Sequence, residues 1–266
     1  MKKSLLILAI ALIFSTGNAQ AWNKLGHRTV VEIAKRHITE KTKENLAKYM
    51  PYDITRDALW MDYNRGKNSP YRFTNSWHSY YYDSKLRHDP NVKHKIQNGD
   101  TMRGLDLVTY NLGNYRELSD SAVVFNIRAI LHFVGDMHCP SHCKYINGRD
   151  DAKPRVYLRG EYMGSFHGFY DSMPEHIYGW EKDPVELAKE LDTYSKGQIK
   201  KSCKGNHYDW ANECMRITNV IHQWNPNDGT ANLRDDTIEL SKSVIDIQLR
   251  HAGYRLAHLL NKFFGE

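Results

Sequence analysis

The sequence has few cysteines and, after its first residues, no long apolar segment. Four of the 266 residues are cysteines, and no two have the C-x-x-C spacing of a cysteine-based zinc site. Beyond the apolar run at residues 5–14, no stretch is apolar enough to cross a bilayer as a helix. Linkers, internal repeats and low-complexity tracts are absent as well. These absences favour a single domain and argue against a membrane-spanning protein.

The first residues have the three parts of a secretory signal peptide. A lysine pair supplies the positive start, residues 5–14 supply the apolar core, and Ala19-Gln20-Ala21 supplies the small-x-small end. We expect cleavage after Ala21, which makes Trp22 the mature N-terminus. No cysteine follows the cleavage point, so a lipoprotein anchor is not indicated. The sequence predicts a secreted or periplasmic protein formed by residues 22–266.

The four cysteines are candidates for disulfide bonds. In an exported chain, oxidised cysteines are expected, and four cysteines allow three pairings. We predict the local pairing, Cys139 with Cys143 and Cys203 with Cys214.

Apolar periodicity predicts helices along most of the chain. Asp183 before Pro184 is typical of a helix start, because proline is well suited to the first helical position. Residues 63–99 and 144–165 are rich in Asn, Tyr, Gly and charge, and we expect long loops or short irregular strands there. We predict an all-α fold with a single compact multi-helix domain. Its predicted helices span residues 30–38, 39–49, 102–115, 121–138, 184–194, 208–224 and 235–264.

Histidine is abundant, with 14 residues in the chain, and it is the commonest metal ligand. His132 and Asp136 are four residues apart on a predicted helix, so both project from one face. The two oxygens of Asp136 could bridge two metals. His167 and Asp171 repeat this spacing, and His142 follows a helix-ending proline. All-N/O ligands suit zinc, although spacing alone also admits manganese or iron.

Single residues of this kind have ordinary explanations too. A lone helical histidine is more often a packed or surface residue than a ligand. Trp22 alone would be a core aromatic residue, and Asp62 alone would be a solvated one. His138 is better placed as a hydrogen-bond partner behind the ligands than as a ligand. The repeated spacing and the cluster of histidines at 132–142 favour a metal site.

These motifs resemble those of the secreted single-strand-specific zinc nucleases of plants and fungi. This family, the mung bean nuclease type or nuclease type I, is grouped with the zinc phospholipases C. The resemblance covers the whole mature chain in order and spacing. It rests on Trp22, Gly26-His27, Trp60-Met61-Asp62, Trp77-His78, residues 132–142, His167-Gly168-Phe169-Tyr170-Asp171, residues 252–257 and Leu260-Asn261.

The resemblance implies an all-α fold of the phospholipase C and nuclease type I kind with three zinc ions per chain. One zinc would be held by Asp62, His78, His132 and Asp136. A second would be held by His27 and by the α-amine and carbonyl of Trp22, with Asp136 as the bridge. The third would be held by His142, His167 and Asp171. The amine of Trp22 exists only after signal cleavage and binds metal only when neutral.

In such a site the metals lower the pKa of a water and stabilise the charge of the phosphate. The implied activity is hydrolysis of single-stranded RNA and DNA to 5′-nucleotides, with 3′-nucleotides as a further candidate substrate. Asp62 is a candidate to orient the attacking water. The family has Lys where this chain has Arg65, which can still stabilise a phosphate. Arg65 could alternatively be an ordinary solvated residue.

The residues that would contact a base depart from the family pattern. The family has an aromatic residue after the metal-binding histidine and Asp or Asn two residues later, where this chain has Ser79 and Tyr81. Tyr80, Tyr81 and Asp83 are candidates for stacking and a polar contact in another register. Packing of the tyrosines in the wall of the cleft is equally compatible with the sequence.

Two other functions share parts of this pattern. A zinc phospholipase C acting on lipid head groups would use the same metal framework, but it usually carries Glu where this chain has Asp171. A zinc-binding structural protein without catalysis would have a closed site, usually richer in cysteine. Nucleic acid or nucleotides are the expected substrates, and no stable protein partner is implied.

Overall fold

The computed structural model describes residues 22–83, 85–88, 96–145, 155–223 and 230–266. The predicted signal peptide at residues 1–21 lies outside the described residues, as does Trp224 at the end of one predicted helix. Within the described ranges, no helix is both long and apolar enough to cross a membrane.

Helices dominate the described chain, which confirms the predicted all-α class. The α-helices are α1 (Lys24–Lys35), α2 (Glu40–Ala47), α3 (Trp60–Tyr63), α4 (Thr101–Gly113), α5 (Asp120–His138), α6 (Phe166–Asp171), α7 (Met173–Tyr178), α8 (Pro184–Leu191), α9 (Lys196–Ser202), α10 (His207–Gln223) and α11 (Asp235–Phe264). Short 3-10 helices lie at Ile54–Asp57, Arg72–His78, Tyr115–Glu117 and Pro140–His142.

Side-chain caps set several helix starts. The carboxylate of Asp183 accepts hydrogen bonds from the backbone N–H groups of Val185 and Glu186, so α8 begins at Pro184 as predicted. The predicted helix was longer at its other end. It stops at Leu191 because Asp192 leaves the helical conformation and pairs with Arg36 at 2.6 Å.

Short strands occupy parts of the two regions predicted as loops or irregular strands. β1 (Tyr80–Tyr82) pairs in parallel with β2 (Cys143–Tyr145). β3 (Arg155–Leu158) pairs antiparallel with β4 (Glu161–Ser165) and parallel with β5 (Thr230–Leu233). The β1–β2 pair matters for the site, because it places the residues that follow His78 beside those that follow His142.

The core is built around α5. Every residue from Ala129 to His138 is buried, including the polar ones. α5 packs against α4 and α11, and α11 packs closely against α1. Gly253 on α11 allows that close approach, since a Cβ there would lie 2.5 Å from the Cβ of Ile33. The metal-binding candidates on α5 therefore face the interior of the helical bundle.

All four cysteines are free thiols, which corrects the predicted local disulfides. Each sulfur lies beside a different polar group. The thiol of Cys139 is 3.1 Å from the Ser141 hydroxyl, and that of Cys143 is 2.6 Å from the Tyr80 hydroxyl. These contacts hold the two neighbouring cysteines toward separate partners.

Replacing Gly253 with alanine should destabilise the fold by about 1–3 kcal/mol, the usual cost of overpacking. The added methyl group would press on Ile33 and separate α1 from α11. Gly197→Ala is the matched control, because Gly197 on α9 has open space around its Cα. It should stabilise the protein by roughly 0.5–1 kcal/mol through helix propensity. Urea unfolding of both variants measures the difference, and equal behaviour would contradict the close contact.

Candidate metal centre

Six separate segments deliver the predicted ligands to one buried region. α1 contributes His27, α3 contributes Asp62, and a 3-10 helix ends on His78. The pair on α5 and the pair on α6 each lie one helical turn apart, as their spacing predicts. The 3-10 helix after α5 ends on His142. All of these side chains are at least nine-tenths buried.

The structure brings together the first predicted set, whose charged atoms surround one small volume. The Nε2 atom of His132 lies 3.3 Å from Asp136 Oδ2 and 3.7 Å from Asp62 Oδ1. The Nδ1 atom of His78 lies 2.9 Å from the same Asp136 oxygen and 3.5 Å from Asp62 Oδ1. The ligand atoms of His78, His132 and Asp136 all lie within 4.8 Å of one another, and so do those of His27, Asp62 and His132, which is close enough to hold a cation.

Asp136 divides its two oxygens between two groups of residues. Oδ2 faces His78 and His132, whereas Oδ1 lies 3.3 Å from Nε2 of His27. The rings of His27 and His132 stack with centroids 4.1 Å apart. Gly135 makes this proximity possible, because a Cβ there would lie 2.7 Å from His27 Nδ1. A carboxylate with one oxygen toward each group is the arrangement that a bridging ligand requires.

A second group surrounds Asp171. Its Oδ1 lies 3.4 Å from His142 Nε2, and its Oδ2 lies 3.2 Å from His167 Nε2. The Ser141 hydroxyl donates to Oδ1 at 2.5 Å, so this oxygen is already engaged and Oδ2 faces His167. The sequence reasoning missed Ser141, although it directly precedes the predicted ligand His142.

Backbone carbonyls fix the orientation of two imidazoles. His132 donates from Nδ1 to the carbonyl oxygen of Ala58 at 2.8 Å. His142 donates from Nδ1 to the carbonyl oxygen of His78, which also ties the two groups of ligands together. In both rings the donating Nδ1 leaves Nε2 as the nitrogen that faces the carboxylates. This is how a metal-binding histidine is usually oriented.

Many buried polar atoms here have no hydrogen-bond partner among the described residues. Unpartnered buried polar atoms are costly, so a cluster of them needs a physical explanation. A cation that takes their lone pairs supplies one, and their N/O composition suits zinc. They include both oxygens of Asp62 and Asp136, both ring nitrogens of His27, Nε2 of His78 and His142, and Oδ2 of Asp171.

The pKa values show how strongly the carboxylates attract positive charge. Burial lowers the pKa of His132, but the carboxylates of Asp136 and Asp62 outweigh burial and raise that pKa to about 9. Burial would raise the pKa of Asp136, yet His132 and His78 hold it well below its usual range. Burial, helped by repulsion from His132, lowers the pKa of His27 to about 4. The site keeps most of its histidines neutral, as ligands must be.

Two contacts hold the predicted N-terminus beside the second group. Trp22 is fully buried, and the backbone N–H of Asn23 donates to the carbonyl oxygen of Asp171 at 2.8 Å. The buried Glu175 accepts a hydrogen bond from the backbone N–H of Leu25 at 2.9 Å, in the first turn of α1. The sequence reasoning missed Glu175, which lies on α7, four residues after the predicted ligand Asp171.

Arg65 lies beside the first group. Its Nη2 is 3.1 Å from Asp62 Oδ1, and its Nη1 donates to the side chain of Asn75 at 3.4 Å. The guanidinium is therefore close to a predicted ligand while part of it remains exposed to solvent. An anionic substrate approaching the carboxylates would meet this positive charge.

The predicted substrate contacts at Tyr80, Tyr81 and Asp83 are not equally placed. Tyr80 is fully buried, with its hydroxyl donating to the carbonyl of Met137, so it has no surface on which a base could stack. For Tyr80 the structure agrees with the alternative of packing, because β1 turns this side chain into the core. Tyr81 is half-buried on the opposite face of the strand. The carboxylate of Asp83 accepts from two backbone N–H groups of the following turn.

His138, the last residue of α5, is buried, and each of its ring nitrogens forms a hydrogen bond. Nδ1 donates to the carbonyl oxygen of Val134, and Nε2 accepts from the guanidinium of Arg255 at 2.9 Å. Arg255 in turn pairs with Glu213 at 2.9 Å. The ring thus joins α5 to α11 and α10, whereas the prediction placed it as a direct partner of the ligands.

Comparison with known proteins gives consistent matches along the chain. A sequence profile described as S1/P1 Nuclease matches residues 22–265. Endonuclease 2 of Arabidopsis thaliana is 22% identical over 298 residues, covering 98% of this chain and 97% of that protein. Endonuclease 4 of the same plant is 24% identical over 276 residues, covering 92% and 90%. The profile begins at Trp22 and includes every predicted metal ligand.

The chelator-treated protein should lose stability as the pH falls from about 6.5 toward about 4. The unfolded chain then protonates histidines that the folded chain keeps neutral, so protons favour unfolding. Each such histidine changes the free energy of unfolding by at most about 1.4 kcal/mol per pH unit. Burial is the main cause that lowers the pKa of four histidines to about 4, namely His27, His78, His142 and His167.

Protonation of Asp171 has the opposite effect on stability. Burial raises the pKa of Asp171 to about 6, so the folded chain takes up this proton more readily than the unfolded chain. The net effect of four histidines against one aspartate is still a loss of stability toward acid. Urea unfolding in chelator at several pH values between about 7 and about 5 measures this slope. A free energy of unfolding that stays level across this range would contradict the neutral, buried state of the histidines.

Proposed function

The chain belongs to the S1/P1 nuclease family and is a nuclease that hydrolyses phosphodiester bonds, and we propose that it works as an exported enzyme with three zinc ions. The observation that supports this most is the division of the two oxygens of Asp136, one toward His27 and the other toward His78 and His132. The oxygens of Asp136 have no hydrogen-bond partner among the described residues, and a fully buried carboxylate of this kind needs a cation.

We propose three ligand sets. The first and the third correspond to the residues around Asp136 and around Asp171. Asp62, His78, His132 and Asp136 hold the first zinc. His27 and the amine and carbonyl of Trp22 hold the second, which shares Asp136. His142, His167 and Asp171 hold the third. The distances of 2.9–3.7 Å among the atoms of the first group support the set. The ring contact of His142 with His167, at 4.8 Å between centroids, supports the last.

Zinc bound at these residues supplies Lewis-acid stabilisation of the phosphate charge and a water of lowered pKa. The side chains of the protein do the rest of the work. Arg65 offers a guanidinium beside Asp62, where it can pair with a phosphate oxygen. Asp62, beside Arg65, would orient the attacking water. The buried walls of α5 and α6 exclude other water from the carboxylates.

We propose single-stranded RNA and DNA as the substrates, with 5′-nucleotides as products and 3′-nucleotides as a further substrate. The endonuclease names of the two plant relatives support the polymer as substrate. The excess of 37 basic over 31 acidic residues suits a polyanion. Export follows from the ligand set itself, since the amine of Trp22 is available only after cleavage at Ala21.

The mature protein starting at Trp22 should bind about three zinc ions, as the ligand sets require, and should cleave single-stranded DNA and RNA. Chelator should abolish the release of 5′-phosphates. The His142→Ala variant should lose one zinc and most of its activity. The His258→Ala variant, altered at an exposed histidine of α11, should keep the zinc content and the activity of the wild type. Zinc content and product analysis measure these outcomes.

Assays with different substrates distinguish the ways in which the proposal could fail. Cleavage of phosphatidylcholine with intact nucleic acid would assign the site to lipid. Full zinc content without cleavage of nucleic acid, 3′-AMP or lipid would leave a structural zinc protein. Loss of metal in the His258→Ala variant would mean that the ligands have been assigned to the wrong histidines.

A protein that retains Ala21 should lose the second zinc and at least about 100-fold in activity, because its amine is displaced from the ligand position. The contacts that hold Trp22 in place make this sensitive to a single residue. Adding one alanine after Glu266 is the matched control and should change neither property. Equal zinc content and rate in the two extended proteins would exclude the amine as a ligand. This outcome would leave the proposal for the other two zinc sites unaffected.

A further inference from the structure

An aromatic surface is formed by residues on the segments that carry the predicted ligands Asp62, His78 and His132. It is formed by Trp60, Tyr71, Phe73 and Phe125, which we call the aromatic platform. Trp60 is two residues before Asp62, and Phe73 stands on the 3-10 helix that ends at His78. At 2.0 Å of rise per residue, Phe73 and His78 are about 10 Å apart along that helix. This separation along the helix is comparable to the length of one or two nucleotides.

The rings of the platform support each other. Tyr71 stacks on Phe125 with centroids 5.3 Å apart, and Trp60 meets Tyr71 edge-on at 4.9 Å. Phe73 leans on Phe125 at 6.3 Å and meets Trp77 edge-on at 5.4 Å. These contacts fix Phe73 in place although 43% of it is exposed to solvent. A ring that is both rigid and exposed can stack a ligand at little entropic cost.

The segment that leads to Phe73 is basic. Residues 63–73 contain Arg65, Lys67 and Arg72 and no acidic residue. Arg65 reaches Asp62, whereas Arg72 and Lys67 are exposed and joined by a hydrogen bond of 3.4 Å from the guanidinium to a carbonyl. A positively charged path beside exposed aromatic rings is the combination that binds single-stranded nucleic acid, with phosphates on the cations and bases on the rings.

We propose that the aromatic platform binds an unpaired base of a nucleotide next to the scissile phosphate, with Phe73 as the stacking surface and Arg72 and Lys67 on the backbone. This inference rests on the proposed nucleic-acid substrate and adds to it a binding site on the 60–73 segment. It also gives a reason for single-strand preference, because a paired base has no free face to offer Phe73. The buried Tyr80 leaves that role open.

The test compares two oligonucleotides of one length, one with bases and one with abasic sites, both made uncleavable by phosphorothioate linkages. Binding to the zinc-loaded protein is measured by fluorescence anisotropy. Phe73→Ala should raise Kd for the oligonucleotide with bases by about 5- to 150-fold, the effect of one lost stack. Its Kd for the abasic strand should stay unchanged. Phe73→Trp should restore the difference.

Tyr110→Ala is the matched control, because Tyr110 on α4 is 72% exposed and lies outside the platform. It should leave both dissociation constants unchanged. Arg72→Gln should lower the slope of log K against log salt by about 0.7, as expected for one phosphate contact on a single strand. This second variant tests the backbone path independently of the ring.

Several outcomes would overturn the proposal. An equal rise in Kd for both strands on Phe73→Ala would indicate a general loss of structure. No rise for either strand would exclude stacking at this ring. Release of the variant from phosphatidylcholine vesicles, with unchanged oligonucleotide binding, would assign the surface to lipid. Because binding is measured without cleavage, a wild-type protein that binds strands but does not cut them would contradict the proposed function alone.

Discussion

The burial of three carboxylates without enough positive charge constrains the rest of this structure. Asp62, Asp136 and Asp171 lie inside a helical bundle, where ionised groups are costly unless they are paired. The surrounding imidazoles cannot all supply the charge, because burial keeps most of them neutral. Only His132 gains a raised pKa, from the two carboxylates nearest to it. The core is therefore built for cations, and its helices are arranged around that requirement.

The framework that holds the ligands uses the backbone as much as the side chains. Carbonyl oxygens of Ala58 and His78 orient two imidazoles, and the pairing of β1 with β2 fixes the segments that carry them. Ser141 occupies one oxygen of Asp171 and thereby leaves the other toward His167. The positions of the predicted ligands thus depend on groups outside the predicted set, as is usual for metal sites.

The sequence predicted what local spacing determines. The His/Asp pairs on α5 and α6 follow from helical periodicity alone, and the long terminal helix was predicted with its observed ends. The grouping of Asp62 and His78 with them came only from the family resemblance, since no spacing links these distant segments. The choice between stacking and packing of Tyr80 could not be made from the sequence, because strand orientation depends on a partner strand. The aromatic platform was missed because Phe125 joins it from a different helix, although the basic and aromatic residues at 63–73 were visible.

Gly135 has a consequence for how such a site can be altered. The ring of His27 lies against the position where any other residue would carry its Cβ. A single methyl group there would push α1 away from α5. It would move His27 away from Asp136 without removing any predicted ligand atom. For protein engineering, position 135 is thus a steric control over metal spacing. It offers a way to tune the centre by helix separation instead of by ligand chemistry.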